Sequence, residues 1–270
     1  MPNIGHGGRG VHMNKLRRIV FNVALYITIV GIIAIVLFLM ILFVMKLNVS
    51  ALSGGSDKPI CVVIDPGHGG EDGGAVSESG IVEKNINLSI SMCLKDYFEM
   101  SGIDVIMTRA DDRLLGEGST VGEKLHNDFP KRLELYNSSD ADFVVSIHQN
   151  KFTSPEEHGA QVFYGPADIG SERLARCIKR SLNGLLQPDN EREITKAGSN
   201  IYLLNNCANP CVLVECGFLS NPKEAQQLDT YEYQRQMAFS IYCGAMEYIS
   251  NSKADTASPA KNSLHVITDH

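Results

Sequence analysis

Apolar residues are distributed in two contrasting ways along the chain. Residues 19–45 form one run of 27 positions without a charge, in which Asn22 and Thr28 are the most polar members. A surface helix of a globular protein is apolar on one stripe only, whereas this run is apolar on every face. As a helix it would be about 40 Å long, enough to cross a hydrocarbon core of about 30 Å with some tilt. Beyond residue 58 the pattern becomes short apolar runs alternating with segments of helical period. Strands are predicted at 60–64, 103–107, 143–147, 160–164 and 212–214, with 201–204 a weaker candidate. Helices are predicted at 83–100 (Ile86, Ile90, Leu94 and Tyr97 on one face), at 171–186 (Leu174, Ile178, Leu182, Leu185) and at 231–250 (Tyr233, Met237, Ile241, Ala245, Tyr248). Asn221-Pro222-Lys223-Glu224 reads as a helix start, with Asn221 as N-cap, Pro222 in the first position and Glu224 closing a capping box. Strands without strict alternation, separated by helices, predict an α/β fold. Its sheet is largely parallel (mixed) and covered by helices on both faces.

Charge divides the chain at the same place. The protein has 270 residues and a net charge of −7, yet residues 1–56 hold none of its 31 acidic residues and five of its 24 Lys and Arg. Lys15, Arg17 and Arg18 precede the apolar run, and only Lys46 follows it closely. Positive-inside logic then keeps residues 1–18 in the cytoplasm and places residue 47 onward outside, with 19–45 as a single-pass anchor. A cleavable signal peptide ending near Ala51 competes, but its apolar region is usually only about 7–15 residues, so a retained anchor is expected. Residues 46–58 are rich in Ser and Gly and read as a linker, 59–250 as the folded body, and 251–270 as a disordered polar tail. The acidic body argues against a nucleic-acid binder that works by neutralising phosphates. Seven cysteines (61, 93, 177, 207, 211, 216 and 243) lie in the body. Most fall in apolar runs or helical patterns, so buried free thiols are the expectation. The spacing Cys207, Cys211, Cys216 is a weak metal clip that no second pair completes.

In such sheets ligands bind beyond the carboxyl ends of the strands. Polar residues gather there. Asp65-Pro-Gly-His68-Gly-Gly70-Glu71-Asp72-Gly-Gly74 follows the first run, His148-Gln149-Asn150 the third, and Glu215-Cys216-Gly217 the last. Histidine and carboxylate ligands with an open position describe a catalytic zinc site. His68 and His148 are candidate ligands, and Glu215 would be costly to bury unless it met a cation, a metal or a proton. The residues alone leave the third ligand open. Glu71 makes the His-x-x-Glu spacing of some zinc carboxypeptidases, and Glu83 at the start of a helix is the other candidate.

Asp65-Pro-Gly-His-Gly-Gly70, Glu83-Lys84, Thr108-Arg109, Ser146-Ile-His-x-Asn150 and Val214-Glu-x-Gly-Phe-Leu-Ser-Asn221, in that order over roughly residues 60–248, resemble the zinc-dependent N-acetylmuramoyl-L-alanine amidases of the type-3 family. The resemblance implies an α/β fold, peptidoglycan as substrate, and a zinc ion on His68, Glu83 and His148 with Glu215 as catalytic carboxylate. It leaves Glu71 without a role. Asn150 and Arg109 become candidates for substrate contact, Arg109 equally for a structural ion pair. Lys151 stands where family members often have a small residue. The short chain, the N-terminal anchor and the lack of wall-binding repeats are most similar to the spore-cortex subgroup, which implies muramic lactam formation and a part in germination. The polar segment 116–129 would suit a lid or a docking loop for an activating protein partner. Two alternatives are kept: a zinc carboxypeptidase acting on wall peptides, and a non-catalytic wall-binding regulator.

Overall fold

The computed structural model describes residues 22–23, 25–41 and 58–257 of the chain. The chain divides into two units, Met1–Gly54 and Gly55–His270. In the first, residues 25–41 are helical, with exposed apolar side chains such as Tyr26 and Ile27. Among the described residues no helix is long and apolar enough to cross a membrane. The ends of the predicted 19–45 span, the basic head 1–18, nearly all of the linker and residues 258–270 lie outside the described residues.

The second unit runs β1 (Cys61–Pro66), α1 (Glu83–Met100), β2 (Asp104–Met107), α2 (Val121–Tyr136), β3 (Phe143–Asn150), β4 (Gln161–Tyr164), α3 (Ile169–Leu185), β5 (Thr195–Lys196), α4 (Tyr202–Asn206), β6 (Cys211–Phe218), α5 (Pro222–Leu228) and α6 (Tyr231–Ala257). Its six strands form one sheet in the order β2-β1-β3-β6-β4-β5. β2, β1, β3 and β6 are mutually parallel, β4 is antiparallel to β6, and β5 is parallel to β4. The sheet is therefore mixed and its centre parallel.

Alternation along each strand divides the core in two. Val62, Ile64, Val145, Ile147, Val212 and Val214 face the larger layer, where Ile86, Ile90, Leu94 and Phe98 of α1 meet Leu174 and Ile178 of α3 and Ile241 of α6. Val63, Val144 and Leu213 face the other layer, against Tyr136 of α2 and Leu203 and Leu204 of α4. Fully burying one such Leu, Ile or Phe side chain stabilises by about 1.5–3 kcal/mol. Both layers leave the carboxyl ends of β1, β3 and β6 at one edge of the unit.

Several expectations are corrected. The weak strand at 201–204 is the helix α4, because Leu203 and Leu204 are neighbours buried in one layer, which an alternating strand cannot do. Most of the expected lid, residues 121–129 of 116–129, belongs to α2. That helix starts with a capping box of Thr120 and Glu123, and the amides of Leu115 and Gly116 are tied to Asp128, so the segment is anchored. Asn221 does cap α5, accepting from the amides of Lys223 and Glu224 at 3.1 Å each. Glu224 does not close a capping box; its carboxylate accepts from the amides of Gly159 and Phe218 instead. α6 continues to Ala257, past the expected end of the body at 250. All seven cysteines are free thiols, six of them buried.

Candidate active site

Three elements supply the site. β1 ends at Pro66 and passes into a glycine-rich loop that closes on itself through the bridges Gly69–Asp72 and Val76–Val82. The loop delivers the chain to Glu83, the first residue of α1. His148 lies near the end of β3 and Glu215 near the end of β6, where the two are register partners on neighbouring strands.

His68, Glu83 and His148 each offer one ligand atom, and these atoms all lie within 4.8 Å of one another. Glu83 is buried between the histidines: Oε1 lies 3.0 Å from His148 Nδ1, and Oε2 lies 3.3 Å from His68 Nε2. The two imidazoles meet edge to face with centroids 5.0 Å apart. Two glycines make this packing fit. A Cβ on Gly67 would stand 2.2 Å from the His148 ring, and one on Gly74 would stand 2.6 Å from both Glu83 Oε2 and the His68 ring. His68 itself has φ of 61°, the left-handed region that a non-glycine residue enters only when its surroundings enforce it.

Those surroundings are a buried polar network. Asp65 accepts from Thr108 Oγ1 (2.6 Å), Arg132 Nη1 (2.5 Å), Tyr136 OH (2.7 Å) and Ser146 Oγ (2.8 Å). Arg132 is also paired with Asp128 at 2.5 Å and donates to the carbonyls of Pro66 and His68. Burial opposes ionisation of Asp65, but the Arg132 guanidinium and the hydroxyl donors hold its carboxyl well below the ordinary range. Arg109 completes the clamp by donating to the carbonyls of Pro66, Gly67, Lys84 and Asp111. Burial among these groups, with Arg132 close by, lowers its pKa to about 10.

Around the ligand donors a further set of groups fixes orientation. Asp72 Oδ2 lies 2.7 Å from His68 Nδ1. Asn87 donates to Glu83 Oε1 and to the Gly67 carbonyl, Gln149 Nε2 donates to Asn87 Oδ1, and the Gln149 amide donates to Glu83 Oε1. Burial disfavours an imidazolium at His68, but the contacts with Asp72 and Glu83 outweigh it and raise its pKa to about 10. Glu83 in turn is held far below the carboxylate range despite its burial. The cluster therefore has a strong affinity for positive charge. Two imidazoles and one carboxylate, with His148 bordering a groove, are the donor set of a catalytic zinc site. The glycine-lined packing and the orienting Asp72 fit that use.

Glu215 is different. Its Oε2 is buried and has no hydrogen-bond partner among the described residues. Burial raises its pKa to about 7, with His148 and His68 partly offsetting and Glu83 reinforcing the effect. A carboxyl poised near neutrality beside a cation-binding cluster is suited to carrying a proton.

With this geometry in hand, residues 62–247 match the family described as N-acetylmuramoyl-L-alanine amidase. The chain belongs to that family. It is a peptidoglycan amide hydrolase. Over 191 residues, 70% of this chain and 79% of the relative, it is 38% identical to the germination-specific N-acetylmuramoyl-L-alanine amidase of Bacillus subtilis. The CwlD amidase of Clostridioides difficile, solved in complex with the GerS lipoprotein, superposes with a TM-score of 0.68 at 39% identity, covering 71% of this chain and 99% of that one. An N-acetylmuramoyl-L-alanine amidase from Clostridium difficile 630 gives 0.63 at 30% identity, over 72% and 98% of the two chains.

The amidase fold brings His68, Glu83, His148 and Glu215 together and leaves Glu71 out. Glu71 is exposed and ion-paired with Lys124. Asn150 lines a groove of ≈ 630 Å³ together with His148 and Glu215. Arg109 is 1% exposed, and its donors go to backbone carbonyls. Lys151 donates to the Val76 carbonyl. Sequence reasoning missed Asp72, Asn87 and Gln149. Asp72 had a signal, its place four residues after His68 in a glycine-rich turn, and Gln149 had one in its place between His148 and Asn150; Asn87 sits inside a helical pattern that gave none.

Proposed function

We propose that the chain cleaves the amide between the lactyl group of N-acetylmuramic acid and the L-alanine of the stem peptide, using zinc held by His68, Glu83 and His148. The observation that carries this reading is the convergence of these three donors beside Glu215, whose buried Oε2 has no hydrogen-bond partner among the described residues. A bound zinc ion supplies Lewis acidity toward an amide carbonyl and makes water acidic near pH 7. Glu215 accepts a proton from the attacking water and passes it to the departing alanine nitrogen, so one carboxyl serves as base and then as acid. Asp72 holds the His68 ring in one orientation, and Asn87 with Gln149 holds Glu83. Asn150 borders the groove where it can donate to substrate.

In the cell we place this activity in the spore cortex, with muramic lactam formation before germination. The similarity to a germination-specific amidase supports this. We place the catalytic unit on the wall-facing side of the membrane, held by residues 19–45 behind the cations Lys15, Arg17 and Arg18. An activating protein partner is proposed by analogy with the solved amidase that is bound to a lipoprotein. The carboxypeptidase reading would need Glu71 in the cluster. The test is mass spectrometry of peptidoglycan incubated with the zinc-loaded chain. Whole stem peptides released from glycan support the amidase, and loss of terminal residues alone would replace it with the peptidase.

A further inference from the structure

We infer that Cys207 and Cys211 are a redox pair that closes into a disulfide between α4 and β6. The sheet divides the three thiols that the sequence spaces as Cys207, Cys211 and Cys216. Along β6, Cys211 and Leu213 face the layer of Tyr136 and α4, whereas Val214 and Cys216 face the layer of α1. The Cys216 sulfur lies against the Val214 carbonyl, on the opposite side from the other two, so the three do not form a metal clip. Cys207 and Cys211 share one face, and both are buried. Cys207 is the C-cap of α4, Cys211 opens β6, and Ala208-Asn209-Pro210 turns the chain between them. This turn is held from several sides. Asn209 Nδ2 donates to the Tyr136 carbonyl at 2.8 Å, the Ala208 amide to Asn137 Oδ1 at 2.8 Å, and the Cys211 amide to Ser171 Oγ at 2.9 Å. The two thiols are hydrogen-bond partners of each other. That contact lowers the pKa of Cys207 against the effect of burial and raises that of Cys211, so Cys207 ionises first and is the nucleophile of the pair.

The oxidant is a small-molecule disulfide. The Cys207 thiolate attacks one of its sulfurs, bonds to that half and expels the other half as a thiolate. Cys211 gives up its proton and attacks Cys207 Sγ, so that the Cys207–Cys211 bond forms and the second half leaves. The two protein thiols lose two electrons and two protons, and the oxidant takes up both and ends as two thiols. Asn206 and Ala208, on either side of Cys207, are exposed, so the oxidant reaches the pair through the turn and not through the sheet. The bond has a structural consequence. α4 carries Tyr202, Leu203 and Leu204, which line the groove, and β6 carries Glu215. Joining the end of α4 to the start of β6 fastens that wall to the strand of the proton carrier. Neither thiol belongs to the metal cluster, so the pairing stands whatever the substrate is.

The test uses the detergent-solubilised full chain, incubated with oxidised glutathione, quenched with N-ethylmaleimide in denaturant and cut with trypsin for mass spectrometry. Cys207, Cys211 and Cys216 fall in one tryptic peptide, 197–223, which takes three maleimide adducts when reduced. After oxidation that peptide is expected with a single adduct, on Cys216, and two hydrogens fewer, and dithiothreitol before the quench restores all three adducts. Cys216→Ser still loses two adducts, whereas Cys207→Ser and Cys211→Ser form no bridge. The wild-type peptide decides the result even where a variant does not fold. Three adducts after oxidation, glutathione retained on Cys207 without ring closure, or a bridge that includes Cys216 overturns the pairing.

Discussion

The two flanks of the site are built on opposite terms. On the β1 and α1 flank, Asp65, Arg109 and Arg132 are all but completely buried, and each is tied by several hydrogen bonds. On the β6 flank, Glu215 borders the groove and keeps a buried oxygen that has no partner among the described residues. A saturated network is rigid and has nothing left to offer a ligand, whereas an unsatisfied group in a groove holds free energy that a ligand can release. The difference teaches that one flank holds and the other reacts. Substitutions on the first should change metal affinity and stability, and substitutions on the second should change turnover.

The largest effect that could break this division is removal of a ligand. His68→Ala, Glu83→Ala or His148→Ala should each lose zinc, measured by elemental analysis, and bring muropeptide release to background. Next comes Glu215→Ala, which should retain zinc while turnover falls by about 10²–10⁴-fold. A metal-free Glu215→Ala protein would erase the boundary between the flanks. Arg132→Met leaves Asp65 and Asp128 buried without their cation and should cost about 3–5 kcal/mol in urea unfolding.

The pH dependence of the same network has a definite sign. The folded-state pKa of Asp65 lies below its unfolded value of about 3.9, so the unfolded chain takes up the proton first. The stabilisation is complete above about pH 5 and drains away as pH falls below about 4 toward the depressed folded value. In Asp65→Asn that share of the acid dependence should be missing from unfolding curves. The smallest effect is expected at Asp72, where Asp72→Ala frees the His68 ring and should weaken zinc binding by about 10–100-fold, read by competition with a chelator.

Much of this was legible in the chain. α1 begins at Glu83 and ends at Met100 as its period indicates, because its apolar face meets a single layer. β1, β3 and β6 read as apolar runs because both faces of a central parallel strand are covered. His68, His148 and Glu215 stand out through the rule that ligands gather at strand ends, whereas Glu83 is preferred to Glu71 only through the family resemblance. Other features depended on contacts that the chain does not announce. α2 carries Pro130 inside it, which weakens any helical reading of 121–136. α4 is five residues long, too short for period to separate it from a strand. Arg109 follows β2 as a polar strand-end residue should, yet it is sealed under the loop it supports, and only the fold reveals that carbonyls are its partners.

Because His148 and Glu215 face each other across one parallel ladder, the sheet acts as a ruler for the chemistry. Sliding β6 by one residue would turn Val214 or Cys216 toward the metal cluster and send the carboxyl to the opposite side of the sheet. The spacing between the proton carrier and His148 is thus set by the ladder between two central strands, β3 and β6.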